Sequence, residues 1–134
     1  MNHRISVPIA VSIVLGVMLS VGAAWAHHNM SAVFDFNQRF TRTGTLTKLD
    51  WRNPHSYITV EAKNDQGQME TWLFEGPPPN VFRILKVTKI DFENAVGKPV
   101  IVEASRARDG SLRGLMRIIT LPDGMVVTLC PQNC

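Results

Sequence analysis

The sequence predicts a mainly β domain with one short helix, and three observations predict it. Residues Ser56 to Ala62 alternate, with Ile58, Val60 and Ala62 on one face and Tyr57, Thr59 and Glu61 on the other, which is the period of a half-buried strand. Clusters of Gly, Pro, Asn and Asp recur at 64–67, 76–79, 97–99, 108–111 and 122–124, leaving room for strands and not for long helices. The stretch with helical spacing, Val81, Ile84 and Leu85 with Phe82, is short and follows three prolines.

The elements follow in order. Met1 to Arg4 is short and basic, Ile5 to Ala23 is almost wholly apolar, and Ala24-Trp25-Ala26 fits the small-x-small cleavage pattern, so residues 1–26 read as a signal peptide. The run is also near the length of a membrane anchor, but Pro8, Ser12, Ser20 and the Ala-x-Ala ending favour cleavage. The expected location is periplasmic, with the membrane met only through the signal segment, and His27 becomes the new N-terminus. The remainder suffices for one small domain and not for two. Residues 27–39 form an N-terminal segment in which Met30, Val33, Phe34 and Phe36 pack as a strand before a polar linker at 37–39.

The domain proper is expected over 40–129. Phe40 to Trp51 is rich in Thr, Leu and aromatic residues and reads as the first strand, with Gly44 as a bulge or bend. Arg52-Asn53-Pro54 breaks it before the alternating second strand. Asn64-Asp65-Gln66-Gly67 supplies a hairpin turn, and Met69 to Glu75 returns as a third strand with Trp72 and Phe74 on one face. Gly76-Pro77-Pro78-Pro79 ends it, and Asn80 can cap the helix. Val87 to Val96 has no decisive period. Val100 to Ala104 and Leu112 to Leu121 are the fourth and fifth strands, and Met125 to Leu129 is a sixth apolar piece. Three strands, a helix and two strands is the order of the OB fold, so the expectation is a small antiparallel five- to six-stranded barrel of that type.

Chemistry is sparse. The formal net charge of +3 is spread along the chain without a basic run, which argues against a nucleic-acid partner despite the aromatic residues on strands. There is no nucleophile elbow, no His-Glu-x-x-His and no Gly-rich phosphate loop, so an enzyme is not expected. Glu61, Glu70, Glu75 and Glu103 look like solvated faces. An N-terminal His27 can chelate through its α-amino and ring nitrogens, and His28 or His55 can add a third nitrogen, a set that suits Cu(II). Copper is therefore the candidate cofactor, at His27, His28 and His55. The bland reading is a solvated start, with Trp51 closing one end of the domain and His55 satisfying local backbone groups.

The rival site is a groove. Trp51, Asn53, Tyr57 and Trp72, with Arg52 and His55 among them, are expected to face one ligand along the Trp51 to Tyr57 edge, the partner being a periplasmic protein or a small molecule. Cys130 and Cys134 form a separate tail, 130–134. In an oxidising compartment they read as a small disulfide staple, with metal ligation or an intermolecular bond as alternatives.

His27-His28-Asn29, Phe34-Asp35, Thr43-Gly44-Thr45, Trp51-Arg52-Asn53-Pro54-His55, Trp72-Leu73-Phe74-Glu75 and Leu121-Pro122-Asp123-Gly124 together resemble a family of small exported bacterial proteins of unknown function. The resemblance implies a periplasmic domain with a small barrel and supplies no reaction or ligand. Asn29 stands where that family usually has Ser, and the extension from Met125 to Cys134 with its two cysteines is not a family feature. The reading is an exported, non-catalytic binding or accessory protein that binds copper at its processed start, or alternatively a metal-free interaction module using the Trp51 to Tyr57 edge.

Overall fold

The computed structural model describes residues 30–130. The expected signal peptide, His27, His28 and Cys134 lie outside the described residues. A single helical turn, α1 (Met30–Val33), leads into β1 (Phe34–Asp50), β2 (Ser56–Lys63) and β3 (Met69–Gly76). Two short helices follow, α2 (Pro79–Ile84) and α3 (Lys89–Glu93), and then β4 (Pro99–Ala107), β5 (Arg113–Thr120) and β6 (Val126–Thr128). The domain is mainly β, as the turn spacing predicts. The expectation of one helix is corrected: α2, α3 and the turn of α1 are all helical.

The strands form one sheet in the order β3-β2-β1-β4-β5-β6, with a further pairing of β3 to β5. Neighbours are antiparallel except β3 and β5, which run parallel over Leu73↔Arg113, Phe74↔Gly114 and Glu75↔Leu115. The pairings thus run from β1 through β2, β3, β5 and β4 back to β1. The length of β1 makes this circuit possible: its first part pairs with β4 over Phe34 to Thr45 and its second with β2 over Thr45 to Asp50. Gly44 sits just before the exchange, where a Cβ would fall on the carbonyl oxygen of Glu61 and 2.9 Å from the Cβ of Ala62. A glycine is needed there because β2 passes too close for any side chain.

β1 begins six residues earlier than the polar composition of 37–39 suggests. Phe34 is buried and pairs with Ala107, and Asp35 pairs with Arg106. The register then slips between Asp35 and Arg39, so Asn37 and Gln38 occupy an irregularity within a strand and not a linker before it.

β2 alternates as its sequence dictates, and Ile58, Val60 and Ala62 join Leu46, Trp72, Phe74, Val100, Val102 and Ile119 in the core. The helices cover one end of it. Only Phe82 of α2 is buried, while Ile84 and Leu85, expected to pack inward, are 77% and 42% exposed. Six residues give too little helix to turn a full apolar stripe inward, so burial passes to Val87, to Phe92 of α3 and to Ala95. Asn80 is not the cap: Pro78 holds that position without a side-chain bond, and Pro79 opens the helix. α3 is capped by Thr88 and Asp91 in a reciprocal box: the Thr88 amide donates to Asp91 Oδ2 at 2.7 Å, and the Asp91 amide donates to Thr88 Oγ1 at 3.4 Å.

Candidate functional site

Strand period divides the sheet residues between two faces. On β2 and β3 the core takes Ile58, Val60, Trp72 and Phe74, which leaves Tyr57, Thr59, Leu73 and Glu75 on the outer face. β1 adds Lys48 and Asp50 from one side, the turn after it adds Arg52, and the parallel pairing brings Arg113 from the start of β5 on the other side. Between them lies a groove of about 290 Å³ lined by Lys48, Asp50, Arg52, Tyr57, Leu73 and Arg113, with Thr59.

Glu75 organises one wall of this groove. It is 7% exposed, and its carboxylate is shared between His55 Nδ1 and Arg113, the latter at 3.6 Å. The expectation of a solvated Glu75 is thereby corrected. Pairing β2 to β3 sets Tyr57 directly across from Glu75, and pairing β3 to β5 sets Arg113 beside it, so two non-local ladders converge on one carboxylate. Glu70 is likewise not a free solvated group, since it accepts from Trp72 Nε1 at 2.9 Å and from Asn64.

Tyr57 forms the aromatic part of the groove. Burial, and then the negative charge of Glu75, push its hydroxyl pKa upward, against the opposing pull of Arg113 and Arg52, so the phenol stays neutral at physiological pH. The Arg52 guanidinium lies 5.8 Å from the centre of the ring and is paired with Asp50 at 3.1 Å. A neutral ring beside Lys48, Arg52 and Arg113 suits a flat ligand with negative charge.

The residues expected to share one groove are separated. Trp51 and Asn53 line a different and wider groove of about 770 Å³, with Pro54, Pro78, Pro79 and Arg83. Trp51 stacks there on Phe82 and Phe92, with ring centres 4.6 and 5.3 Å away, so it closes the end of the core under the helices. Trp72 has no exposed surface and lies on the face opposite Tyr57, which removes it from the groove. Alternation along β3 carries the reason: Trp72 and Phe74 share the inner face. His55 is bonded to a side chain, Glu75, and not to local backbone.

Glu75 and Arg113 are the members that sequence reasoning missed. Nothing local marks Arg113, whose position depends on the parallel β3 to β5 pairing. Glu75 carried a weak signal, because it ends a strand immediately before a glycine and three prolines, where a side chain is covered by whatever the turn folds over it. Among the described residues no group of three His, Cys, Asp or Glu could hold a metal ion. His55 is the described member of the expected copper set. Cys130 lies at the end of the described residues, and its expected partner Cys134 lies beyond them.

No curated protein and no solved structure matches the chain. A family model does match, over residues 15–117, in accord with the resemblance to an uncharacterised family, and the chain belongs to the family of unknown function DUF6152.

Proposed function

We propose that this is an exported, non-catalytic binding protein whose sheet closes as a small OB-type barrel and whose outer groove at Tyr57 takes a small, planar, anionic ligand. The closed reading of the sheet is supported by the circuit of pairings completed by β3 and β5. Export rests on the basic start, the apolar run and the Ala24-Trp25-Ala26 triplet. The observation that carries the ligand reading is the Tyr57 ring set among Lys48, Arg52 and Arg113, with Arg113 held by the buried carboxylate of Glu75. A guanidinium fork fixed from behind is preorganised for a carboxylate in front, and the ring supplies a stacking surface.

Benzoate is a suitable probe. Titrated into ¹⁵N-labelled protein, it should give saturable shifts at Tyr57, Thr59 and Leu73, and Tyr57→Ala or Arg113→Gln should each weaken binding about tenfold. Shifts that grow linearly, or an affinity indifferent to both substitutions, would exclude the groove as the ligand site.

A second reading is favoured by one contact. His55 Nδ1 faces the Glu75 carboxylate, the arrangement in which the other ring nitrogen is oriented as a metal ligand. On this reading the processed chain binds Cu(II) through His27, His28 and His55. Native mass measurement of the exported protein with one equivalent of Cu(II) tests it: a chain starting at His27 with one copper, lost in His27→Ala and in His55→Ala, supports the site. A chain of that mass retaining no copper removes it and leaves the groove.

A further inference from the structure

The inner face of the sheet carries a second cluster that the groove does not use. Phe40 of β1 lies opposite Ala104 in the ladder and packs on Trp72, with ring centres 4.8 Å apart. Arg42, two residues on, and Arg106 of β4 share that face, and both guanidiniums lie over the same two rings. Arg42 is 4.8 Å from the centre of the Trp72 ring and 5.4 Å from that of Phe40; Arg106 is 5.3 Å and 5.6 Å from them. Two like charges thus lie within about 6 Å of the same two rings.

Among the described residues neither is in an ion pair with a carboxylate. The ion pairs of the described residues engage Arg39, Arg52, Arg108 and Arg113, and none engages Arg42 or Arg106. Asp35 and Glu70 are committed elsewhere. Asp35, which faces Arg106 in the ladder, is paired with Arg108 at 3.4 Å and accepts from the Asn37 amide, while Glu70 accepts from Trp72 and Asn64. Arg42 donates through one terminal nitrogen to the Thr41 carbonyl at 3.0 Å, and its Nε is buried without a hydrogen-bond partner. A buried guanidinium donor with nothing to bond costs free energy until an acceptor arrives. Arg42 Nε itself is covered, but both arginines as whole residues are only partly buried, so an anion from solvent can meet their exposed parts.

We propose that Arg42 and Arg106, held on Phe40 and Trp72, form an oxyanion site of the phosphate class, distinct from the Tyr57 groove. A phosphate offers two guanidinium groups more acceptor oxygens than the two of a carboxylate. The aromatic platform limits the freedom of both side chains before the anion arrives, so less ordering accompanies binding. Free phosphate and a phosphate monoester present the same group to the two forks.

The test is a titration of the ¹⁵N-labelled protein with inorganic phosphate at constant ionic strength, following the Arg42 and Arg106 Nε–H signals and the Trp72 indole N–H, with chloride as the control. The expected result is a saturable shift of all three, weakened about tenfold in Arg42→Gln and in Arg106→Gln and unchanged in Arg113→Gln. Arg42→Lys, which keeps the charge and the fold but loses the fork, is expected to weaken binding as well. A second titration with phosphoethanolamine separates the sources: binding tighter than inorganic phosphate assigns a monoester, and equal binding assigns the free ion. Linear shifts matched by chloride, or saturation centred on Tyr57 and Arg113 in place of Arg42 and Arg106, overturn the proposal. The wild-type shifts decide this even where a variant fails to fold.

Discussion

Glu75→Gln is the substitution that separates a structural carboxylate from a surface one. Glu75 is 7% exposed and serves two partners, so the neutral amide leaves both His55 and Arg113 without their carboxylate. Breaking a fully buried pair costs about 3–5 kcal/mol, because the orphaned charge stays in a low dielectric. Here the orphans can reach water: the Arg113 side chain is 38% exposed and that of His55 27%. The cost therefore falls below the buried range and above the fraction of a kcal/mol typical of exposed pairs, at about 2 kcal/mol. For a domain of this size that lowers the melting temperature by roughly 8 °C or more. Glu103→Gln is the internal control, since its pair with Arg39 spans 3.9 Å with both side chains at least one-third exposed. Thermal unfolding followed by circular dichroism reads both variants. A Glu75→Gln protein that melts no lower than Glu103→Gln refutes the assignment of Glu75 as the organising group of the groove.

Gly44→Ala should cost about 3 kcal/mol or more in urea unfolding, because the added Cβ meets the backbone of Glu61 and not a side chain that can yield; Gly67→Ala, with open space around its Cβ and a φ of +78°, should cost only about 1–2 kcal/mol. Thr88→Ala removes the α3 cap and should destabilise by about 1 kcal/mol at neutral pH. That difference has a pH signature: the Thr88 amide and hydroxyl hold the Asp91 carboxyl below its ordinary value of 3.8, so the stabilisation is present above that value and fades as the pH falls through the lower folded one. Melting curves of the two proteins should accordingly draw closer below about pH 4, the bond from the Asp91 amide to Thr88 Oγ1 remaining as the residual difference. Trp72→Phe deletes the bond to Glu70 and part of the platform under Arg42 and Arg106; about 2 kcal/mol of lost stability is expected in urea unfolding.

Where the chain announces its structure, the signal is local. The alternation of Ser56 to Ala62 and the turn at Asn64 to Gly67 place β2 and β3 within a residue of their observed bounds, and the inner position of Trp72 and Phe74 follows from the same period. The failures come where tertiary context overrides composition. Asn37-Gln38-Arg39 looks like a linker, but Phe34 on one side and Phe40 on the other anchor the strand through it. Ile84 and Leu85 look like a buried helical stripe, but α2 ends at Ile84 and leaves both exposed, and the core is filled by Phe82 and Phe92. The groove was half legible. Tyr57 and Arg52 lie near one another in sequence, whereas Arg113 and Glu75 meet only through a parallel pairing 38 positions apart, which no period in either segment encodes.

The two arginine clusters owe their independence to the pleat. Arg113 and Gly114 are adjacent in sequence, yet they serve opposite faces: Arg113 points to the outer groove, while a Cβ at Gly114 would strike Ala104, Phe40 and Phe74 on the inner face. The absence of a side chain at Gly114 leaves room for Phe40, whose ring meets Trp72 at a tilt of 42°, and Arg42 and Arg106 lie over those two rings. Glu75 neutralises Arg113 from behind, so the outer groove holds a guanidinium whose charge is partly answered before any ligand arrives. The inner cluster has no such carboxylate. On the two proposals, a ligand in the groove would be selected by shape as well as charge, through Tyr57 and Leu73, whereas the inner pair would select by charge and by the number of acceptor oxygens.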